Sequence, residues 1–117
     1  MPTYYATLRV SRDKQDVDNQ RLGILQYAND QKFPALEFVA DTASRSQPWT
    51  EREFGKLLLE RCVEGDVILA AEFSRLAGSP MQVFSIMETA AKKKVTIIKT
   101  KNKLTIDTSL QGQIQAM

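Results

Sequence analysis

Four short apolar runs, at residues 4–10, 36–40, 67–71 and 95–100, divide the chain at intervals that each leave room for one helix. The runs are rich in β-branched and aromatic residues and nearly continuous, without the polar alternation of a half-exposed strand. That pattern predicts strands covered on both faces, as in a parallel sheet. Between them, apolar residues recur at helical spacing. Val17, Ile24, Leu25 and Ala28 share a face in the first segment, Phe54, Leu57, Leu58 and Cys62 in the second, and Val83, Ile86, Met87 and Ala90 in the third. Thr50 with Glu53 has the spacing of a capping box, and Ser79, Pro80 and Gln82 mark a second helix start. The expected fold class is α/β: a mainly parallel four- to five-stranded sheet with helices on both faces, built from right-handed βαβ units. The run 103–106 is a candidate edge strand. The stretch 42–49, with Ser44, Arg45, Ser46 and Pro48, reads as a mobile loop.

Composition excludes more than it suggests. At 117 residues the chain holds one domain. No apolar run approaches the roughly 18 residues of a membrane span, and the N-terminus lacks the layout of a signal peptide. A single cysteine, Cys62, excludes an internal disulfide and fits a reducing cytoplasm. The net charge of +2 is too small to argue for nucleic acid. The lysines at 92, 93, 94, 99, 101 and 103, however, follow one another with no acid between Glu88 and Asp107. Such a stripe either neutralises phosphates or is simply a solvated surface. With no histidine and one cysteine, histidine-dependent triads and His- or thiolate-ligated metals are excluded. The five glycines form neither a dinucleotide fingerprint nor a P-loop. Chemistry is left to Ser, Arg, Lys, Asp, Glu or Tyr.

Open parallel sheets bind ligands beyond the carboxyl ends of their strands. There the sequence places Arg9 and Ser11 after the first strand, Asp41 after the second, and Ser74 with Arg75 after the third. Singly these are a cap, a turn residue and surface charges; delivered by three strands to one edge, they suggest a site. Arg61 falls within the apolar stripe between Leu58 and Cys62, and Gln20 lies beside the stripe carrying Ile24, so each needs a partner or a function. Arg52, in the first turn of its helix, opposes the helix dipole unless an anion lies near. A serine hydroxyl among Arg9, Arg52, Arg61 and Arg75 suits attack on a phosphodiester, because planar guanidinium groups stabilise charge on phosphoryl oxygens.

The stretch Arg9-Val10-Ser11, then Gln15, then Asp18-Asn19-Gln20, resembles the opening of the resolvase/invertase family of serine recombinases. The similarity continues through Asp41-Thr42-Ala43-Ser44, Thr50-Glu51-Arg52-Glu53, Glu64-Gly65-Asp66-Val67-Ile68-Leu69 and Phe73-Ser74-Arg75-Leu76. The resemblance implies a nucleophile at Ser11, forming a 5′-phosphoserine bond and releasing a 3′ hydroxyl. It implies that Arg9, Arg52 and Arg75 hold the scissile phosphate, with Gln15, Gln20, Asp41, Arg61 and Ser74 in support. Implied partners are double-stranded DNA and a homodimer that assembles into a synaptic tetramer, with no membrane, no cofactor, no metal and no ATP. The implied location is the cytoplasm, at the nucleoid of a bacterium, phage host or mobile-element carrier.

Two departures from the family pattern stand out. Ser74 occupies a position that is usually aspartate, and Gly78 one that is usually arginine. The chain is expected to divide into a catalytic domain at residues 1–106 and, at 107–117, the start of a truncated dimerisation helix. Two rivals remain: a catalytically impaired member with an assembly or regulatory role, and a phosphate-binding domain similar to flavodoxin or a response regulator. The arginine-rich strand ends argue against a receiver domain, which gathers acids there to hold a metal.

Overall fold

The computed structural model describes residues 2–10, 12–42, 47–72 and 79–101, together with the backbone of 104–106. The strands are β1 (Tyr4–Arg9), β2 (Glu37–Asp41), β3 (Val67–Ala70), β4 (Thr96–Lys99) and β5 (Leu104–Ile106), in the sheet order β2-β1-β3-β4-β5. The first four run parallel, and β5 pairs antiparallel with β4. Helix α1 is Lys14–Asp30, α2 is Glu53–Lys56 and α3 is Pro80–Lys93. After α2 the chain continues in wider turns over Leu57–Arg61, closed by the Cys62 amide donating to the Leu57 carbonyl at 2.9 Å. No helix among the described residues is long and apolar enough to cross a membrane.

Strand order sets which face each helix covers. The connection from β1 to β2 moves one way across the sheet, while those from β2 to β3 and β3 to β4 move the other way. With right-handed crossovers the direction of travel dictates the face, so α1 takes one face and α2 and α3 the other. The two cores divide accordingly. Ala6, Leu8, Val67, Leu69 and Ile98 pack with Ile24 and Ala28 of α1. Tyr5, Ile68, Ala70 and Ile97 pack with Phe54, Leu57, Leu58, Cys62, Ile86, Met87 and Ala90. Alternate residues of β1, β3 and β4 thus enter opposite cores, which explains why the runs carry no polar alternation.

Four local expectations change. The strand expected at 36–40 lies at the sheet edge, with β1 as its one neighbour among the described strands, so Phe38 is exposed and Asp41 is its one fully buried residue. Leu25 faces solvent, because the buried face of α1 runs through Gln20, Ile24 and Ala28. The Thr50–Glu53 capping box does not form. A tight turn at Trp49–Glu51 comes first, and Arg52 stands before α2 in extended conformation without a side-chain cap. Trp49, assigned to the loop, is instead buried against Phe54 at 6.0 Å between ring centroids. At the start of α3, Ser79 Oγ accepts from the Gln82 amide at 3.3 Å, as expected.

Two glycines are required where they stand. Gly65 adopts φ +94° in the turn entering β3, a region that side chains disfavour. Its neighbour Asp66 fastens that turn, accepting from Thr3 N and Val63 N at 3.0 Å each. Gly55 lies so close to the Trp49–Glu51 turn that a Cβ would collide with the Trp49 carbonyl oxygen and approach Thr50 Cα to 2.7 Å.

Candidate active site

The chain reverses its direction of travel between β1 and β3, and the carboxyl ends of these strands form the edge where α/β sheets bind ligands. The end of β1 is clamped from both sides. On one side, Val10 N donates to Asp41 O at 2.9 Å, extending the ladder with β2 past the Arg9–Asp41 pair. On the other, the Gln20 side chain behaves as a third strand. Its Oε1 accepts from Arg9 N and its Nε2 donates to Arg9 O, both at 3.0 Å. This explains a polar residue that is only 3% exposed in the middle of a helix face. The amide supplies hydrogen bonds that the backbone at a strand end would otherwise lack. Asp13 caps α1 by accepting from Asp16 N at 3.2 Å. Ser11 lies outside the described residues; Val10 before it ends the β1 clamp, and Asp13 soon after it opens α1.

The end of β2 carries a buried ion pair. Arg52 Nε and Nη2 lie 2.9 and 2.6 Å from Asp41 Oδ2, with side-chain exposures of 0% and 1%. Arg52 is rooted by its own amide, which donates to Trp49 O at 3.2 Å, and Trp49 Nε1 donates to Ser85 Oγ of α3 at 3.2 Å. The anion whose presence the position of Arg52 called for is therefore Asp41, and in this arrangement the guanidinium is shielded from solvent.

Of the other expected site residues, Arg61 stands apart. Arg61 is exposed, paired with Glu37 Oε1 at 2.8 Å, and its guanidinium sits 5.3 Å from the centre of the Tyr5 ring. Glu37 opens β2 whereas Asp41 closes it, so Arg61 belongs to the amino edge of the sheet. Gln15 is exposed in the first turn of α1. Arg9 is half-buried at the end of β1. Ser74, Arg75, Gly78 and Arg45 lie outside the described residues, as do Lys103 and the segment 107–117.

A cleft of about 350 Å³ opens at the same edge. Asp16, Asn19, Gln20 and Gly23 of α1 line one wall, and Ala71, Glu72, Thr100 and Lys101, just past β3 and β4, line the other. Lys101 Nζ lies 2.8 Å from Glu72. Most of the lysine stripe is likewise engaged: Lys92 with Glu88 at 3.8 Å, Lys94 with Glu64 at 3.3 Å, and Lys93 with the Leu59 carbonyl at 2.8 Å. The stripe also divides, since residues 92–94 precede β4 and Lys101 follows it. Surface pairs of this kind contribute little stability.

Burial, reinforced by Asp66, pushes the Cys62 thiol up to about 12, so it stays protonated near neutral pH and offers no nucleophile. Burial also raises Tyr5, with Cys62 and Asp66 adding to it. The sequence analysis does not single out Asp16 or Ser85. Asp16 accepts from Gln20 Nε2 at 3.0 Å, and its i,i+4 spacing from Gln20 was a usable signal. Ser85 carries no comparable mark, because its link to Trp49 spans 36 positions.

Residues 4–117 match the family model described as Resolvase, N terminal domain. Among solved structures, the N-terminal catalytic domain of TP901-1 integrase superposes with a TM-score of 0.70 at 17% identity, covering 96% of this chain and 86% of that one. The C-terminal catalytic domain of ISC1926 TnpA, an IS607-like serine recombinase, gives a TM-score of 0.65 at 25% identity, covering 84% and 67%. A search of curated proteins finds no match.

Proposed function

The chain belongs to the resolvase N-terminal domain family, and on that premise we propose that it cuts and rejoins DNA in site-specific recombination, with Ser11 as the nucleophile. The observation that carries this reading is the double clamp on the end of β1, made by Gln20 on one side and Asp41 on the other. A reacting group one residue beyond such a clamp starts from a fixed point, and proximity and orientation are a large share of catalysis. Family membership also sets aside the flavodoxin-like and receiver-domain readings.

In the proposed reaction the Ser11 hydroxyl oxygen forms a bond to the phosphorus and the bond from phosphorus to the 3′ oxygen breaks. The proton lost by the serine is matched by the one gained at the 3′ hydroxyl. The phosphoserine bond conserves the energy of the diester, so religation reverses the same step. Arg9 and Arg75 stabilise the charge on the phosphoryl oxygens. Arg52 holds Asp41, and it reaches a phosphate once that pair opens. Double-stranded DNA is the substrate, and copies of the chain assemble around it as a dimer that pairs into a tetramer.

The test is a denaturing gel of trapped cleavage reactions of the full-length protein with its DNA site. Wild type is expected to give a protein–DNA band that survives EDTA and disappears in Ser11→Ala. A band that persists in Ser11→Ala would defeat the assignment. Absence of any band in wild type would favour the impaired, assembly-only reading.

A further inference from the structure

Beyond holding Arg9, the Gln20 amide has a second N–H to place, and it goes to Asp16 Oδ2 at 3.0 Å. We propose that Asp16 is a positioning residue for the reaction: its carboxylate fixes the Gln20 amide, and through it the backbone of Arg9, two residues before Ser11. The catalytic consequence rests on Ser11 being the nucleophile; the clamp itself does not.

The amide can bond both backbone groups of Arg9 only while its plane stays aligned with them. In a site where Gln20 is 3% exposed, an N–H without an acceptor would draw the amide toward another partner. An ionised carboxylate only accepts, so it also selects the nitrogen end of the amide. Asp16 is itself held in place. Its backbone N–H bonds Asp13 Oδ1 at 3.2 Å, and the first turn of α1 sets it one turn before Gln20 on the same face. Across the cleft, Lys101 Nζ lies 2.8 Å from Glu72 Oε1. The acid that the family pattern places two residues before Gln20 is Asp18, and it is exposed. The work falls to Asp16.

Amide hydrogen exchange by NMR tests the clamp without DNA. Asp16→Ala is expected to speed exchange at Arg9 about tenfold, the worth of one hydrogen bond, while Ile68 in β3 stays protected. Asp16→Asn, whose carbonyl can still accept, is expected to restore Arg9 protection. Unchanged Arg9 exchange in Asp16→Ala would overturn the proposal, as would failure of Asn to restore it. In the full-length protein, on the duplex at which wild type forms its covalent adduct, Asp16→Ala is expected to slow adduct formation about tenfold at saturating DNA. DNA affinity should be unchanged, and Asp16→Asn should restore the rate; a loss confined to affinity would count against positioning. Should the adduct prove independent of Ser11, the functional reading falls, while Arg9 exchange still decides whether Asp16 holds the clamp.

Discussion

The Arg52 guanidinium closes on a single carboxylate oxygen of Asp41, Nε at 2.9 Å and Nη2 at 2.6 Å, with both side chains withdrawn from solvent. Removing one partner strips the other buried charge of this pair, which costs more than losing an exposed one. Asp41→Ala and Arg52→Ala are each expected to lose about 3–5 kcal/mol, seen as a lower urea midpoint with an unchanged slope. The double variant should lose clearly less than the sum, because the two residues share one interaction. Arg61→Ala, whose pair with Glu37 is exposed, serves as the control and should shift the midpoint little.

Gly55→Ala sets helix propensity against space. Propensity alone favours alanine by about 1 kcal/mol. A Cβ, however, would run into the backbone of Trp49 and Thr50, which cannot move aside as a flexible side chain would. Overpacking of this kind costs about 1–3 kcal/mol, so a net loss is expected. Because the same turn roots Arg52, the near-ultraviolet signal of Trp49 should change as well. A melting temperature above wild type would show that the turn yields.

Cys62 and Tyr5 govern the alkaline side of the stability curve. Both groups hold their protons more tightly when folded, Cys62 up to about 12 and Tyr5 above its ordinary value of 10.0. The unfolded chain therefore releases protons first, and stability must fall as pH rises. For Cys62 the stabilisation is intact below its ordinary value of 9.0 and is lost as pH climbs toward about 12. Melting temperatures between those limits should decline in wild type and decline less steeply in Cys62→Ala. Thiol reagents should label Cys62 only as the protein unfolds.

On the proposed function, Gly78 stands at a position that the resembled pattern fills with arginine, and we propose Arg45, four residues after Asp41 in the sequence, as its substitute. A charge-assisted contact that strengthens in the transition state is worth roughly 2–4 kcal/mol, or about 10²–10³ in rate. Gly78→Arg in the full-length protein should then accelerate cleavage, by less if Arg45 already serves, in which case Arg45→Ala slows it. Cleavage time courses of wild type, both single variants and the double variant decide. No acceleration together with no loss would show that neither residue accounts for the missing contact.

The sequence by itself determined the order of strands and helices and the faces of α2 and α3. Those follow from short continuous apolar runs and from a period of 3.6 residues between them, properties of neighbours along the chain. It also brought Asp41 to a strand end and marked Gln20 as a polar residue in need of a partner. Tertiary structure decided the rest. Strand order made β2 an edge and left Phe38 exposed. Arg61 and Arg52, nine positions apart and both flagged as misplaced cations, went to opposite ends of β2, one to Glu37 and one to Asp41. Helical periodicity gives a side chain its face, but which carboxylate it meets depends on how the crossovers lay that face along a strand. The same holds for Gln20: its need was visible in the helix pattern, but its answer, the backbone of Arg9, exists only once β1 and α1 are packed together.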